Sequence, residues 1–338
     1  MVSDRSMHVR KNDDLFPVVE CLNPVRAAFL TVVMIALSVG LYLIAFSNIR
    51  KPFSIGIYSP LIKSKIEKLN ETESPRILIV AGSNARISHQ AYVLEKETGT
   101  PSTNGGLTAD LSLEFLLATY EPHLKRGDLV YLPLEYQPLC LRSIRTKSER
   151  VYLASYALDM LSELPLRDRL DIWFCFELGD LFSEIIERQA ARSSVIANRR
   201  AERNRWGDQV GYTMESAKRF RDRILNATPE SLPRSSDFRK DSRTKIVLRD
   251  FMERCTKRGI TVIGGLPTTF VDRNIDADLI KEIRSFYESH GHHFVLLDNK
   301  SQYPRNMFYD SPYHLIDSAA AEHTRLLASE IIKIIERL

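Results

Sequence analysis

Three side chains of this 338-residue chain, Ser83, Asp310 and His314, could together carry acyl transfer. A serine hydroxyl is a weak nucleophile until a base takes its proton. The base in turn needs an acid that fixes its tautomer and stabilises its cation. Ser83 lies in the stretch RILIVAGSNAR, residues 76–86. Asp310 and His314 stand four apart in NMFYDSPYHLIDSAAAEHT, residues 306–324, on a loop that precedes the last helix. A lone histidine is more often structural, and the chain holds eight. A serine at a helix start is also more often a cap than a nucleophile, so Ser83 or Asn84 as an N-cap is the competing reading.

The elements around these residues decide whether they can meet. Residues 77–80 are four apolar residues in a row, bounded by Ser74-Pro75, and read as a buried strand. Gly82-Ser83-Asn84 breaks the run, and a helix is expected over about 88–98, stopped by Gly99. Residues 101–103 are a short second strand, 111–124 a helix, and 129–134 a third strand ending in Pro133-Leu134-Glu135-Tyr136. After a long interruption the rhythm resumes with a helix at 244–257, a strand at 260–263, a helix at 276–290, a strand at 294–297 and a final helix at 318–338. Alternating strands and helices predict an α/β fold with a parallel sheet covered on both faces. Five strands in this rhythm suit a flavodoxin-like three-layer sandwich of order 2-1-3-4-5, with ligands beyond the carboxyl ends of the strands. That rule gathers Ser83, Gly105, Glu135 and Pro267 on one rim. A loop after the last strand can then bring His314 to the serine after the first.

Composition narrows the setting. The net charge of +4 gives no argument for nucleic acid, and Cys21, Cys140, Cys175 and Cys255 are too scattered for a disulfide framework. No cysteine and histidine cluster suggests a metal, and no cofactor is expected. Gly82-Ser83-Asn84 lacks the GxGxxG glycines of a dinucleotide site. Residues 27–49 are uncharged and long enough to cross a bilayer. The apolar run exceeds that of a signal peptide, so an uncleaved anchor is expected, with a buried core helix as the alternative. Basic residues lie on both sides, so flanking charge does not set the orientation. Residues 1–26 read as a loose tail and 50–74 as a juxtamembrane linker. The α/β domain comprises 75–136 and 244–338. The interruption, 137–243, is a helical insertion with candidate helices at 152–161, 172–203 and 213–226. Its basic part, 187–223, is a solvated face, a cap over the rim, or a surface for anionic lipid or polymer.

At these motifs the chain resembles the SGNH/GDSL hydrolase superfamily. It is most similar to the membrane-anchored bacterial branch that includes alginate O-acetyltransferase-type proteins and the D-alanyl transfer protein of teichoic acid synthesis. Gly82-Ser83-Asn84 resembles the motif that carries the nucleophile. Thr103-Asn104-Gly105-Gly106-Leu107 resembles the second motif, and Asp310 and His314 the terminal Asp-x-x-His. The resemblance implies Ser83 as nucleophile, His314 as base and Asp310 as its orienter. It also implies an oxyanion hole from the Ser83 and Gly105 N–H groups with Asn104. The implied setting is the inner membrane with an extracytoplasmic domain, a polysaccharide acceptor, O-acetyl chemistry and a membrane-bound O-acyltransferase partner.

Departures from the pattern are specific. The terminal pair is Asp-x-x-x-His, which leaves Asp317 as an alternative partner. Pro133-Leu134-Glu135-Tyr136 replaces the usual Gly-x-Asn-Asp, so Asn84 or Asn104 would have to supply the missing amide. Asn84 and Glu135 are candidate substrate-binding residues, with Glu135 orienting substrate or pairing with an arginine. The alternative function is a non-catalytic scaffold that binds glycan or partner proteins through the basic insertion.

Overall fold

A computed structural model of the chain describes residues 23–48, 56, 58–140, 145–177, 179–180, 204–228, 231–238 and 242–338. The chain divides into two compact units, 1–50 and 51–338. The expected tail lies almost wholly outside the described residues, as do 181–203 of the insertion.

The first unit contributes helix α1, Pro24–Asn48. Its first 22 residues have a mean hydropathy of 2.4, and none of that stretch is buried. Phe29 and Leu41 are each 67% exposed, which rules against a buried core helix. Its 25 residues span about 37 Å at 1.5 Å per residue. The helix is therefore long and apolar enough to cross a bilayer.

The second unit opens with α2, Tyr58–Glu71, and β1, Ile77–Ile79. Arg76, fully buried, sits at the junction. It donates from Nε to Asp128 Oδ2 (3.1 Å), from one terminal nitrogen to Thr72 O (2.7 Å) and Leu69 O, and from the other to His123 O (2.7 Å). Next come α3, Ser83–Ser88, and α4, Ala91–Thr98. The sequence predicts one helix here, later in the chain. Extended backbone at His89 (φ −127°, ψ 140°) separates two helices instead. Then follow β2, Ser102–Asn104, α5, Leu113–Tyr120, β3, Leu129–Leu132, and α6, Tyr136–Cys140. Helix α5 is shorter than expected: a 3₁₀ turn with Pro122 replaces its last residues.

After the insertion come α7, Arg243–Lys257, β4, Thr261–Gly265, β5, Thr269–Phe270, α8, Ala277–Ser289, β6, His293–Val295, β7, Gln302–Tyr303, and α9, Asp317–Ile335. The main sheet has five strands in the order β2-β1-β3-β4-β6, every pairing parallel. The expected order was 2-1-3-4-5. An additional strand, β5, precedes the last one and pairs with β7 in a separate two-stranded parallel sheet. Two-residue strands are too short to show a period, and this pairing joins segments about thirty residues apart. Successive residues of β1, β3 and β4 are buried, as a sheet covered on both faces requires. Helix α9 packs against α3 and α4, and α7 packs against α5.

The described part of the insertion forms short helices, Lys147–Tyr156, Leu158–Ser162, Leu166–Trp173, Met214–Ala217 and Arg221–Leu225, in place of the longer ones expected. Asp208 ties this segment back to the core. Its carboxylate accepts the first N–H groups of α4, from Ala91 (2.6 Å) and Tyr92 (3.0 Å).

Candidate active site

Parallel pairing places the chain after β1, β2, β3 and β4 at one sheet edge. Ser83 is there as the first residue of α3, half-buried. The N-cap is Gly82, which has no side chain to offer, so neither Ser83 nor Asn84 serves as the cap. A Cβ at Gly82 would stand 2.7 Å from Glu135 Oε2, and one at Gly106 would stand 2.2 Å from Arg86 N. Both glycines therefore permit close approaches at the turn: Glu135 against its start, and the β2 loop against α3.

His314 and Asp310 meet. Nδ1 of His314 lies 2.6 Å from Asp310 Oδ1, so the carboxylate holds the proton on Nδ1 and leaves Nε2 to act as a base. Burial raises the Asp310 pKa, but the bond to His314, the His314 charge and the Arg223 charge outweigh it, and the carboxyl lies below its ordinary value. Arg223 also donates to Asp310 O (2.5 Å). The alternative partner, Asp317, accepts the Gly211 N–H (3.0 Å) and has no bond to His314. Burial raises its pKa.

The loop carrying His314 is fastened to α3. Ser88 Oγ donates to Tyr313 O (2.6 Å) and accepts from Leu315 N (2.8 Å). Thr268 Oγ1, after β4, is 2.9 Å from Tyr313 O and 2.8 Å from Asn84 Oδ1. No hydrogen bond joins Ser83 Oγ to His314 among the described contacts. The His314 loop is held beside α3 through Ser88 and linked to Asn84 through Thr268. Ser88 and Thr268 are absent from the sequence reading, because isolated hydroxyl residues carry no spacing signal.

Three expected contributors are occupied by structural bonds. The Gly105 N–H continues the strand ladder to Ile79 O (2.8 Å) and is not an oxyanion donor. Asn104 is buried and gives both amide hydrogens to backbone, at Ala85 O (3.0 Å) and His89 O (2.8 Å). Asn84, also buried, donates to Pro133 O (3.0 Å) and accepts from Thr268, so it clamps three loops. The sheet satisfies its own donors first, since an unpaired buried amide costs about 1–3 kcal/mol. Among the described residues Glu135 forms no ion pair with an arginine. Its Oε1 accepts the Asn84 N–H (3.1 Å).

The insertion covers part of this rim. Besides Arg223 on Asp310, Tyr212 O accepts the Asp317 N–H (2.8 Å), and the Tyr212 and Tyr309 rings meet edge to face at 4.8 Å. Arg219 donates to Tyr309 Oη (2.6 Å). Of the three possibilities for the basic stretch, the described portion (204–223) fits the cap. Residues 187–203 lie outside the described residues.

Behind α3 runs a buried histidine pair. His89 Nδ1 faces Asn84 O (3.5 Å), His89 Nε2 lies 3.1 Å from His323 Nε2, and His323 Nδ1 lies 3.0 Å from Tyr303 Oη. These bonds assign one proton order. Tyr303 donates to His323, His323 to His89, and His89 to the backbone, with both rings neutral. Burial pushes His89 down to about 4, against the pull of its bond to Asn84 O. Burial and the neighbouring His89 hold His323 well below its ordinary value. Unfolded histidine titrates near 6.5, so the unfolded chain takes up protons first as pH falls. The contribution of His89 is complete above pH 6.5 and lost between 6.5 and about 4, which amounts to about 3 kcal/mol. Unfolding of the full chain in detergent, followed at pH 7 and pH 4.5, should show this loss. The double variant His89→Gln/His323→Gln, less stable at pH 7, should lose less on acidification.

Comparison with protein-family models, curated proteins and solved structures gives no match.

Proposed function

We propose that this protein is a membrane-anchored serine acyltransferase or esterase of the SGNH type, with a flavodoxin-like three-layer α/β domain. Ser83 attacks an acyl ester, His314 takes and then returns the proton, and Asp310 orients His314. The observation that carries this reading is the Asp310–His314 bond on a loop strapped to the helix that begins with an uncapped Ser83. The acyl group is taken as O-acetyl and the acceptor as an envelope or exported polysaccharide, on the strength of the motif resemblance. The apolar helix α1 supports a single-pass anchor in the inner membrane, with the catalytic unit extracytoplasmic beside a membrane-bound O-acyltransferase.

The second reading, a glycan- or protein-binding scaffold without catalysis, is favoured by one observation: Gly105 and Asn104 are committed to internal bonds. A fluorophosphonate probe on the full chain in detergent separates the two. The enzyme is labelled at Ser83, and His314→Ala abolishes the labelling. An unlabelled wild-type chain supports the scaffold.

A further inference from the structure

An oxyanion hole needs at least two donors at the place where negative charge develops. Around Ser83 the backbone supplies few. The N–H groups of Asn84, Gly105, Gly106 and Leu107 are bonded to Glu135 Oε1, Ile79 O, Asn104 Oδ1 and Ala81 O respectively. The N–H of Ser83 has no acceptor among the described residues. The side chain pressed against the turn is Glu135, 7% exposed, with Oε2 on the Gly82 side. It lines a cavity of about 20 Å³ whose other walls include Gly82, Ala109, Leu111, Leu116 and Leu134.

An ionised carboxylate in that position would repel an oxyanion. A neutral one would donate to it. We propose that Glu135 is held as a carboxylic acid and that its O–H is the second oxyanion donor, in the place left by the missing asparagine. This rests on the serine acyl chemistry proposed above. When Ser83 Oγ bonds to the ester carbon, its proton passes to His314 Nε2 and the carbonyl oxygen becomes the oxyanion bonded by Glu135. Collapse of the intermediate breaks the bond to the alcohol, which leaves with the proton from His314. Glu135 keeps its own proton throughout.

The surroundings favour the neutral form. Burial raises the Glu135 pKa, opposed by the Asn84 N–H and the charge of Arg86. Asp110, next to Ala109 of the cavity wall, is bonded to Tyr58 and Thr108. A buried carboxyl in an apolar wall stays protonated when no cation pairs with it.

The test is a set of variants assayed as the full chain in detergent on a p-nitrophenyl ester across pH. Glu135→Ala should lower kcat by roughly 10²- to 10³-fold, the range for loss of one oxyanion donor. Glu135→Gln, which still donates, should remain within about tenfold of wild type. Wild-type activity should fall on the alkaline side as Glu135 ionises, and Glu135→Gln should lack that limb. Arg86→Gln should move the limb to higher pH, since the Arg86 charge favours the ionised form. Infrared difference spectra of wild type against Glu135→Gln give a readout independent of turnover: the carbonyl band of a protonated carboxyl should be present near neutrality. A Gln variant as inactive as the Ala variant, or no such band, overturns the role of Glu135 while leaving Ser83 in place. If wild type is unlabelled by the fluorophosphonate, the acyl chemistry fails and this role with it.

Discussion

Replacing Ser83 by alanine should lower ester hydrolysis by at least about 10³-fold and abolish fluorophosphonate labelling, because Ser83 is the nucleophile proposed to form the acyl-enzyme. The change removes one oxygen from a half-buried position with no side-chain hydrogen bond, so stability should stay within about 0.5 kcal/mol of wild type. A large loss of rate with an unchanged melting temperature would then be a chemical effect. His314→Ala should cost about as much, and the double variant little more, since the proposed nucleophile and base would act as one unit. Asp310→Asn tests the third member. An amide in place of the carboxylate at 2.6 Å can present its N–H to Nδ1 and stabilise the wrong tautomer, which costs on the order of 10⁴-fold where such a triad operates. Asp317→Asn should cost far less, because that carboxylate serves the Gly211 N–H. Wild-type rates in Ser83→Ala would leave the scaffold as the surviving interpretation.

The second large effect concerns the support beneath the site. Asp128→Ala should destabilise the globular unit by about 3–5 kcal/mol, the cost of leaving one buried partner of an ion pair uncompensated. Both side chains of the Arg76–Asp128 pair are completely buried. Asp128 Oδ2 also accepts the Lys125 N–H (2.8 Å), so the variant opens the turn before β3 as well. Thermal or chemical unfolding of the full chain reads the loss. Apolar replacement of both residues is often neutral for a buried pair. Here a deficit should remain, because Arg76 also serves the carbonyls of Leu69, Thr72 and His123. A double variant as stable as wild type would show that those carbonyl bonds contribute nothing net.

Neither member of that pair stood out in the sequence. Arg76 and Asp128 each stand just before a strand, and their 52-residue separation hid the bond. The histidine pair behind α3 was hidden in the same way, since His89 and His323 are 234 residues apart. Gly105 and Asn104 show the opposite failure. Their residue types fitted an oxyanion hole, but whether a donor is free depends on which acceptor the folded chain brings to it, and here the sheet and the α3–α4 turn claim both.

What the sequence determined by itself was whatever depends on local pattern. That includes the apolar helix near the N-terminus, the α/β rhythm, the turn that presents Ser83 after the first strand, and the four-residue step from Asp310 to His314. Hydrophobic periodicity and turn chemistry act over a few residues, so they can be read along the chain. Only the tertiary structure decided that Asp310 rather than Asp317 holds the imidazole. It also showed that β5 and β7 form their own small sheet, and that Glu135 lies buried against Gly82. Those outcomes depend on which distant groups compete for the same hydrogen bonds once water is excluded, and that competition has no counterpart in linear spacing.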